Sequence, residues 1–532
     1  MAASGDFVVP TYGGQPRIDK PPLFMWSGAS VSGILGEVSE VSVRLPSALS
    51  AVLCLISTFI IGARLFGGAT ALLGAVILGT SGRFLLYSQW AATDMMLASL
   101  TTLALAFAVC GGSAPAGSHG RPRIDLAGIL FLAACALAML TKGPIGVVLP
   151  VGVVLADHLF ASWREPRRLL ETLRGLAVPW AAGVVAFAAI AVPWFVLLAG
   201  RLGPGVLREI LLRQNVDRFV EAWNAQQPWY FYFEVLPMDF LPWSFFLPLA
   251  FVPVAEREEG KGPSWRFLRI WFVVVFAFFS AASGKSPEYL LPLLPAACIM
   301  VARVFIAAGG SVAAAARRPD PRRSVWGWRA RLWIQVAGAI LASVALGGAA
   351  MVPSLSREAL PGAAPYFFVA LVILAVGAGC LVVAARSAKF AAGAAVLAAA
   401  VILVRLTVVG PLMDAGNAVN LAPEVGRALQ RLLPPDIEVG VGRKGADYVM
   451  YYASRPVTPL ERPDRTVEFL FEREGRALVL KTREFRQLRS RLGGDVAVLG
   501  QWGDERRGFV LLRKLPATPP ASPGPPTVEK SQ

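Results

Sequence analysis

The chain has 532 residues, of which 55% are hydrophobic and only 16% charged, against about a quarter charged in ordinary soluble domains. With a mean hydropathy of +0.57, this excludes a single soluble enzyme domain and reads as a polytopic membrane protein. The formal charge of +16 does not mark a nucleic-acid binder, because the basic residues are divided among separate loops and form no stripe with interleaved aromatics on a soluble domain.

In chain order, residues 1–43 hold no span. They carry Arg17-Ile18-Asp19-Lys20-Pro21-Pro22 and then the amphipathic run Leu23-Phe24-Met25-Trp26. The two prolines set an extended entry to a segment lying along a membrane surface. Lys20 then sits at headgroup depth, where an ammonium either snorkels as an interfacial anchor or holds a lipid phosphate as a point charge. A loop of this kind on the far side of a membrane needs an upstream apolar segment to carry it there. The expectation is therefore a longer protein in which Met1 is internal.

Apolar runs of about 20 residues mark spans. They fall at 44–66, 69–89, 92–110, 124–140, 143–160, 176–199, 238–254, 267–282, 289–306, 332–351, 364–383 and 391–413, twelve in all. Basic residues gather in alternate connections: Arg121 and Arg123; Arg164, Arg167, Arg168 and Arg174; Arg257, Lys261, Arg266 and Arg269; and Arg317 to Arg331. The positive-inside rule makes these cytoplasmic and puts both chain ends outside. The five cysteines lie in or at the edges of spans with no close pair, as small apolar fillers do. Both histidines, His119 and His158, fall on the cytoplasmic side, so the outer face has no histidine base.

After residue 413 the composition changes. Residues 414–516 alternate short apolar runs (437–441, 448–452, 477–480, 496–499) with helical stretches at 422–433 and 483–492, the pattern of a small α/β domain on the outer face. The proline-rich tail 517–532 reads as disordered. The expected organisation is an outer loop with juxtamembrane helices (1–43), a transmembrane domain (44–413) containing a long outer loop (201–238), the α/β domain and the tail.

Several polar residues stand at the outer mouths of the helices. Asp94, after Thr93, opens a span behind Arg83, Tyr87 and Gln89, where a carboxylate is commonly an N-cap. Lys142 lies in the tight turn Thr141-Lys142-Gly143-Pro144. The long outer loop carries Arg213, Asn215 and Arg218, then Pro228-Trp229-Tyr230; aromatics this dense form a membrane belt, while arginines offer a planar fork to phosphate. The short loop Ser283-Gly284-Lys285-Ser286-Pro287-Glu288-Tyr289 adds a cation and a phenol. Lys20, Lys142, Arg213, Arg218 and Lys285 thus occupy the face that normally avoids cations, which suits binding of a phosphorylated lipid.

The ordered set Asp19-Lys20-Pro21-Pro22, Arg44-Leu45-Pro46-Ser47, Asp94-Met95-Met96-Leu97, Leu140-Thr141-Lys142-Gly143-Pro144, Asn215-Val216-Asp217-Arg218-Phe219, Pro228-Trp229-Tyr230, Leu241-Pro242-Trp243 and Tyr289-Leu290-Leu291-Pro292 resembles the polyprenyl-phosphate-sugar-dependent transferases of the family 39 type. These include protein O-mannosyltransferases and the lipid A aminoarabinose transferase. The resemblance covers roughly residues 5–415.

It implies an all-α polytopic GT-C fold with a small α/β extracytoplasmic C-terminal domain, in a bacterial inner membrane. The implied activity moves a sugar from a polyprenyl phosphate to a lipid A, glycan or protein acceptor. By the same resemblance Lys20, Arg218, Lys285 and Tyr289 bind the donor phosphate, and Asp19, Lys142, Asn215 and Trp229 line the substrate site. Asp94 matches a second family acid that places the sugar, while the principal base is expected upstream of Met1. Gln214 stands where relatives often carry glutamate, and Asn224 and Gln227 lie where they often carry histidine. No cofactor is implied with certainty, and metal dependence stays open. Two rival readings are a lipid-phosphate-binding pseudoenzyme and a transporter or flippase of lipid-linked sugar; the latter calls for ionisable residues at the bilayer midplane, where Arg405 is the main candidate.

Overall fold

The computed structural model describes residues 1, 5–12, 15–111, 126–162, 166–217, 226–252, 262–317, 321–359, 364–419, 421–442, 449, 452–453, 455, 457–460, 463–473, 475–493, 496–503 and 508–514. Two compact units emerge: Met1–Pro10 with Arg17–Val408, and Thr11–Pro16 with Val409–Gln532.

The first unit is helical. Pro21 and Pro22 end an extended entry and start α1 (Leu23–Leu35), which stops at Gly36 in the left-handed region, a conformation glycine adopts without a Cβ penalty. α2 (Glu40–Phe66) opens on a capping box in which Ser39 and Ser42 each bond the other's backbone N–H, satisfying two orphan donors of the first turn. α3 (Gly68–Gly79) and α4 (Gly82–Gln89) form one apolar run bent by 65°. At the bend the Thr80 hydroxyl donates to the Val76 carbonyl and the Ser81 hydroxyl to that of Ile77, each at 2.8 Å, and the Trp243 indole donates to Thr80 at 3.0 Å.

There follow α5 (Thr93–Gly111), α6 (Leu126–Lys142), α7 (Ile145–Ser162) and α8 (Pro166–Leu202). A wide π-type turn runs over Arg208–Asp217. Beyond it lie α9 (Phe231–Asp239), α10 (Gly262–Ala281), a 3-10 turn (Pro287–Leu293) leading directly into α11 (Leu294–Arg317), then α12 (Pro321–Ala359), α13 (Ala364–Arg386) and α14 (Phe390–Val419).

Among the described residues, eight helical stretches are long and apolar enough to cross a membrane, or nine with the bent α3–α4 pair. α6 and α7 are apolar but shorter. The expected span 238–254 is not one helix. It breaks into the end of α9, a 3-10 turn over Trp243–Phe246 and a single turn over Leu247–Ala250. Pro237, Pro242 and Pro248 each remove a backbone donor there, and the run folds into the interior as irregular backbone.

Burial separates helices of similar composition. In α11 the apolar window is 94% buried, whereas in α13 and α14 only 28% is. α11 is therefore the central post, with its own Phe305 fully buried among Trp243, Trp265, Trp271 and Phe246. α13 and α14 keep apolar faces turned outward, as helices bordered by lipid do.

In the second unit, Thr11–Tyr12 and Gln15–Pro16 (β1, β2) pair antiparallel. A five-stranded sheet is built from β3 (Val439–Gly442), β4 (Val457–Leu460), β5 (Ala477–Lys481), β6 (Val496–Trp502) and β7 (Phe509–Lys514), in the order β4-β3-β5-β7-β6. β3 runs parallel to β4 and β5, and β7 antiparallel to β5 and β6. Alternation along β5 and β7 feeds two cores. Ala477, Val479, Phe509 and Leu511 pack with Val425 and Leu429 of α15 (Ala422–Leu432). Leu478, Leu480, Val510 and Leu512 pack with Leu470 of α16 (Pro463–Glu472) and Leu488 of α17 (Thr482–Leu492). Gly440 is needed in β3 because a Cβ would lie 2.6 Å from the Phe469 ring. Strands β4 and β7 were not anticipated; of the expected run 448–452 only residues 449 and 452 are described.

Arg455 closes the end of α15. Its guanidinium donates to the carbonyls of Leu429, Leu433, Pro434, Pro435 and Ile437 at 2.7–3.4 Å. Charged donors to such carbonyls contribute about 1.5–3 kcal/mol each at best, and less in sum. Arg455→Ala is expected to speed hydrogen exchange of the β3 and α15 amides at least tenfold in the full chain while leaving α11 unchanged. Uniform protection in both proteins would refute this.

Candidate active site

The segment before α1 and the facing ends of α5, α6 and the Pro287–Leu293 turn meet at one end of the helical unit. Asp94, in the first turn of α5, is ion-paired to Lys142 in the last turn of α6. Both side chains are nearly buried, at 12% and 14% exposure. The geometry follows from the helix termini: an acid favours an N-terminus and a cation a C-terminus, and the two ends face each other. The Lys142 ammonium also lies 4.4 Å from the centre of the Tyr289 ring, a distance at which the ring face attracts a cation. Lys20 reaches in from the loop before α1 and donates to the Thr93 hydroxyl at 3.4 Å, within electrostatic range of Asp94.

A second polar group adjoins the first. Arg83 of α4 grips Asp239 of α9 through two bonds of 2.8 and 2.5 Å, the fork geometry that fixes orientation. Arg83 also stands 5.8 Å over the Tyr87 ring. Tyr87 lies within electrostatic range of the Glu288 carboxylate, which accepts from the Ser286 hydroxyl at 2.6 Å. The Tyr232 hydroxyl both donates to the Ser286 carbonyl at 3.1 Å and accepts from its N–H at 3.2 Å; burial raises its phenol above the usual tyrosine range.

The sequence-derived candidates divide accordingly. Lys20, Asp94, Lys142 and Tyr289 converge. Lys285 turns inward: its ammonium, 5% exposed, donates to the carbonyls of Gln227 at 3.1 Å and Ala282 at 2.5 Å, and burial lowers it below the usual lysine range. Two of its three N–H bonds thus tie neighbouring loops together. Trp229, 71% exposed, lies edge-on to Tyr230 and Phe233. Asp19 pairs with Arg17 at 3.0 Å on the surface. Arg218 lies outside the described residues, as does the side chain of Asn215.

Sequence reasoning passed over the Arg83–Asp239 pair, Glu288 and Tyr232. Arg83 and Tyr87 sit one helical turn apart on α4, and Glu288 precedes a candidate, but Asp239 is more than 150 positions from Arg83 and no local pattern joins them. Among the described residues no group of three or more His, Cys, Asp or Glu could hold a metal ion.

Two ammonium groups, a phenol and an orienting carboxylate at a helix mouth can hold a phosphate and stabilise charge that develops on it. The whole fold has a solved counterpart. It superposes on the crystal structure of ArnT from Cupriavidus metallidurans bound to undecaprenyl phosphate with a TM-score of 0.70 at 23% identity, covering 96% of this chain and 91% of that one. The chain shares that protein's fold.

The apo form of the same ArnT superposes equally well, with a TM-score of 0.69. Residues 1–202 match the family described as dolichyl-phosphate-mannose-protein mannosyltransferase. An undecaprenyl phosphate-alpha-4-amino-4-deoxy-L-arabinose arabinosyl transferase from Pseudomonas fluorescens is 32% identical over 314 residues, 56% of this chain and 50% of that protein. An uncharacterized protein of Aquifex aeolicus is 30% identical over 303 residues, 57% of this chain and 56% of its own. The chain thus spans about half the length of these curated relatives. Lys20, Asp94 and Lys142 lie within the residues 1–202 that match the mannosyltransferase family, and Tyr289 lies beyond them.

Proposed function

We propose that the chain is an integral membrane glycosyltransferase that moves a sugar from a polyprenyl-phosphate donor to an acceptor on the extracytoplasmic side. The observation that carries this reading is Lys20, delivered by the segment before α1 to the mouth of α5 and α6, beside the Lys142–Asp94 pair and the Tyr289 ring. A relative named for transfer of an aminoarabinose from undecaprenyl phosphate, and a neighbour of the same fold described with undecaprenyl phosphate bound, support it. The orientation rests on the basic loops, which belong on the cytoplasmic side, so that the opposite mouth and the α/β unit face outward.

In the transfer an acceptor oxygen attacks the anomeric carbon. The bond from that carbon to the phosphate oxygen breaks, and its electrons leave with the polyprenyl phosphate. The acceptor's proton passes to a carboxylate or to water. Lys20 binds the phosphate and stabilises the added negative charge, with Arg218 as second cation and Tyr289 alongside; the remaining N–H of Lys285 serves from the neighbouring loop. Asp94, committed to Lys142, acts by holding that ammonium in place rather than by taking the proton. Trp229, Asn215 and Asp19 belong to the surrounding rim. The acceptor is a hydroxyl or phosphate of lipid A, another glycan or a protein.

The test is consumption of undecaprenyl-phosphate-linked sugar by the full chain in nanodiscs supplied with a membrane extract, read as release of undecaprenyl phosphate. No binding of the lipid phosphate at all would overturn the reading. A second reading, a binder without turnover, is favoured by the engagement of Asp94 with Lys142, and it predicts binding without release.

A further inference from the structure

Three carboxylates lie in the polar cluster, and two are already occupied by cations: Asp94 by Lys142 and Asp239 by Arg83. Glu288 is different. Among the described residues it makes no ion pair; the Ser286 hydroxyl donates to it at 2.6 Å, and the Tyr87 phenol lies within electrostatic range. Its surroundings are rigid. Ser286 is clamped through its own backbone by Tyr232, and Glu288 belongs to the 3-10 turn that leads into the buried post α11. The carboxylate is half-buried rather than sealed, and it lies within electrostatic range of Lys142 and Arg83.

An ionised carboxylate has about four acceptor positions, and the Ser286 hydroxyl fills one of them. Keeping a half-buried charge on such a donor is costly unless a further partner arrives. The Lys142 ammonium faces the neighbouring Tyr289 ring and is within electrostatic range of Glu288, which puts this carboxylate beside the proposed phosphate-binding mouth. A sugar attached to that phosphate is the group within reach.

We propose that Glu288 grips the donor sugar, accepting hydrogen bonds from its hydroxyls, or from an ammonium where the donor is an aminosugar, while the cations hold the phosphate. This rests on the transferase reading and deepens it: Glu288 determines which glycosylated lipid is preferred, and Ser286 is its positioning residue. A merely structural Glu288, tying α4 to the 3-10 turn, would affect every ligand alike.

The experiment measures dissociation constants of the full chain in nanodiscs for bare undecaprenyl phosphate, undecaprenyl-phosphate mannose and undecaprenyl-phosphate aminoarabinose. Wild type is expected to bind at least one glycosylated lipid more tightly than the bare one. Glu288→Ala is expected to lose most of that gain, roughly ten- to a hundredfold, as for a hydrogen bond to a charged group, with bare-lipid affinity unchanged. Glu288→Gln separates the sources: it keeps the gain from a neutral sugar and loses the gain from an ammonium. The proposal is overturned if wild type gains nothing from either sugar, if Glu288→Ala keeps the gain, or if it weakens all three lipids equally. Failure of wild type to bind bare undecaprenyl phosphate would instead remove the transferase reading itself, and this assignment with it.

Discussion

Lys20→Ala is expected to reduce sugar transfer at least about a hundredfold, the usual loss when one donor to a developing negative charge is removed. The residue comes from a loop, donates to the Thr93 hydroxyl at 3.4 Å and stands at the open side of the Lys142–Asp94 pair. Its loss therefore subtracts charge from the phosphate site without opening a core. Bare undecaprenyl phosphate should bind correspondingly more weakly, while the unfolding midpoint should stay close to wild type, since substitutions at such positions usually shift stability by no more than about 0.5 kcal/mol. Lys20→Arg should recover part of the binding, because the charge returns with a different geometry. An alanine variant that binds the bare lipid within threefold of wild type would show that the phosphate sits elsewhere.

The second large effect concerns the Lys142–Asp94 pair. Both groups are nearly buried between helix ends, so removing one strands the other. Asp94→Asn and Lys142→Met are each expected to destabilise the helical unit by roughly 3–5 kcal/mol, as for other buried pairs broken from one side. The double variant, with neither charge, should regain most of that stability, since a buried pair and its apolar replacement are often nearly equivalent. Transfer should not return with it, because Lys142 no longer stands over Tyr289. The check is a double-mutant cycle on thermal unfolding in detergent, with transfer measured on the same samples. Additive losses across the cycle would mean that the two residues do not act as a pair; recovered activity in the double variant would remove Lys142 from the site.

Much of the architecture is written locally. The capping serines before α2, the paired prolines before α1 and the short apolar run of β5 are all nearest-neighbour patterns, and each formed the element it signals. The residues 238–254 show where local reading stops. Their composition is that of a span, but three prolines and the demand of Trp243 for Thr80 turn them into irregular backbone buried by other helices. Hydropathy also could not rank α11 above α13, because both are apolar all round and only packing makes one a post and the other a lipid-facing wall.

The site divides along the same line. Lys20, Asp94, Lys142 and Tyr289 were legible because cations and acids at apolar helix ends are rare and costly, which makes each conspicuous in its own stretch of chain. What each is bound to was not legible. Asp94 could have been a free base, an N-cap or an ion-pair partner, and only the approach of the α6 end decided it. Lys285 read as a supporting cation, and only the fold shows that its ammonium donates to the backbone of Gln227 and Ala282. Glu288 was one letter in a loop until the Ser286 hydroxyl oriented it. Sequence alone determined the membrane class, the helical segments and the chemical types gathered at their ends, since these depend on side-chain transfer energies and local backbone limits. Tertiary structure decided which charges neutralise one another and which stay available, since electrostatic pairing depends on distances that sequence separation does not set.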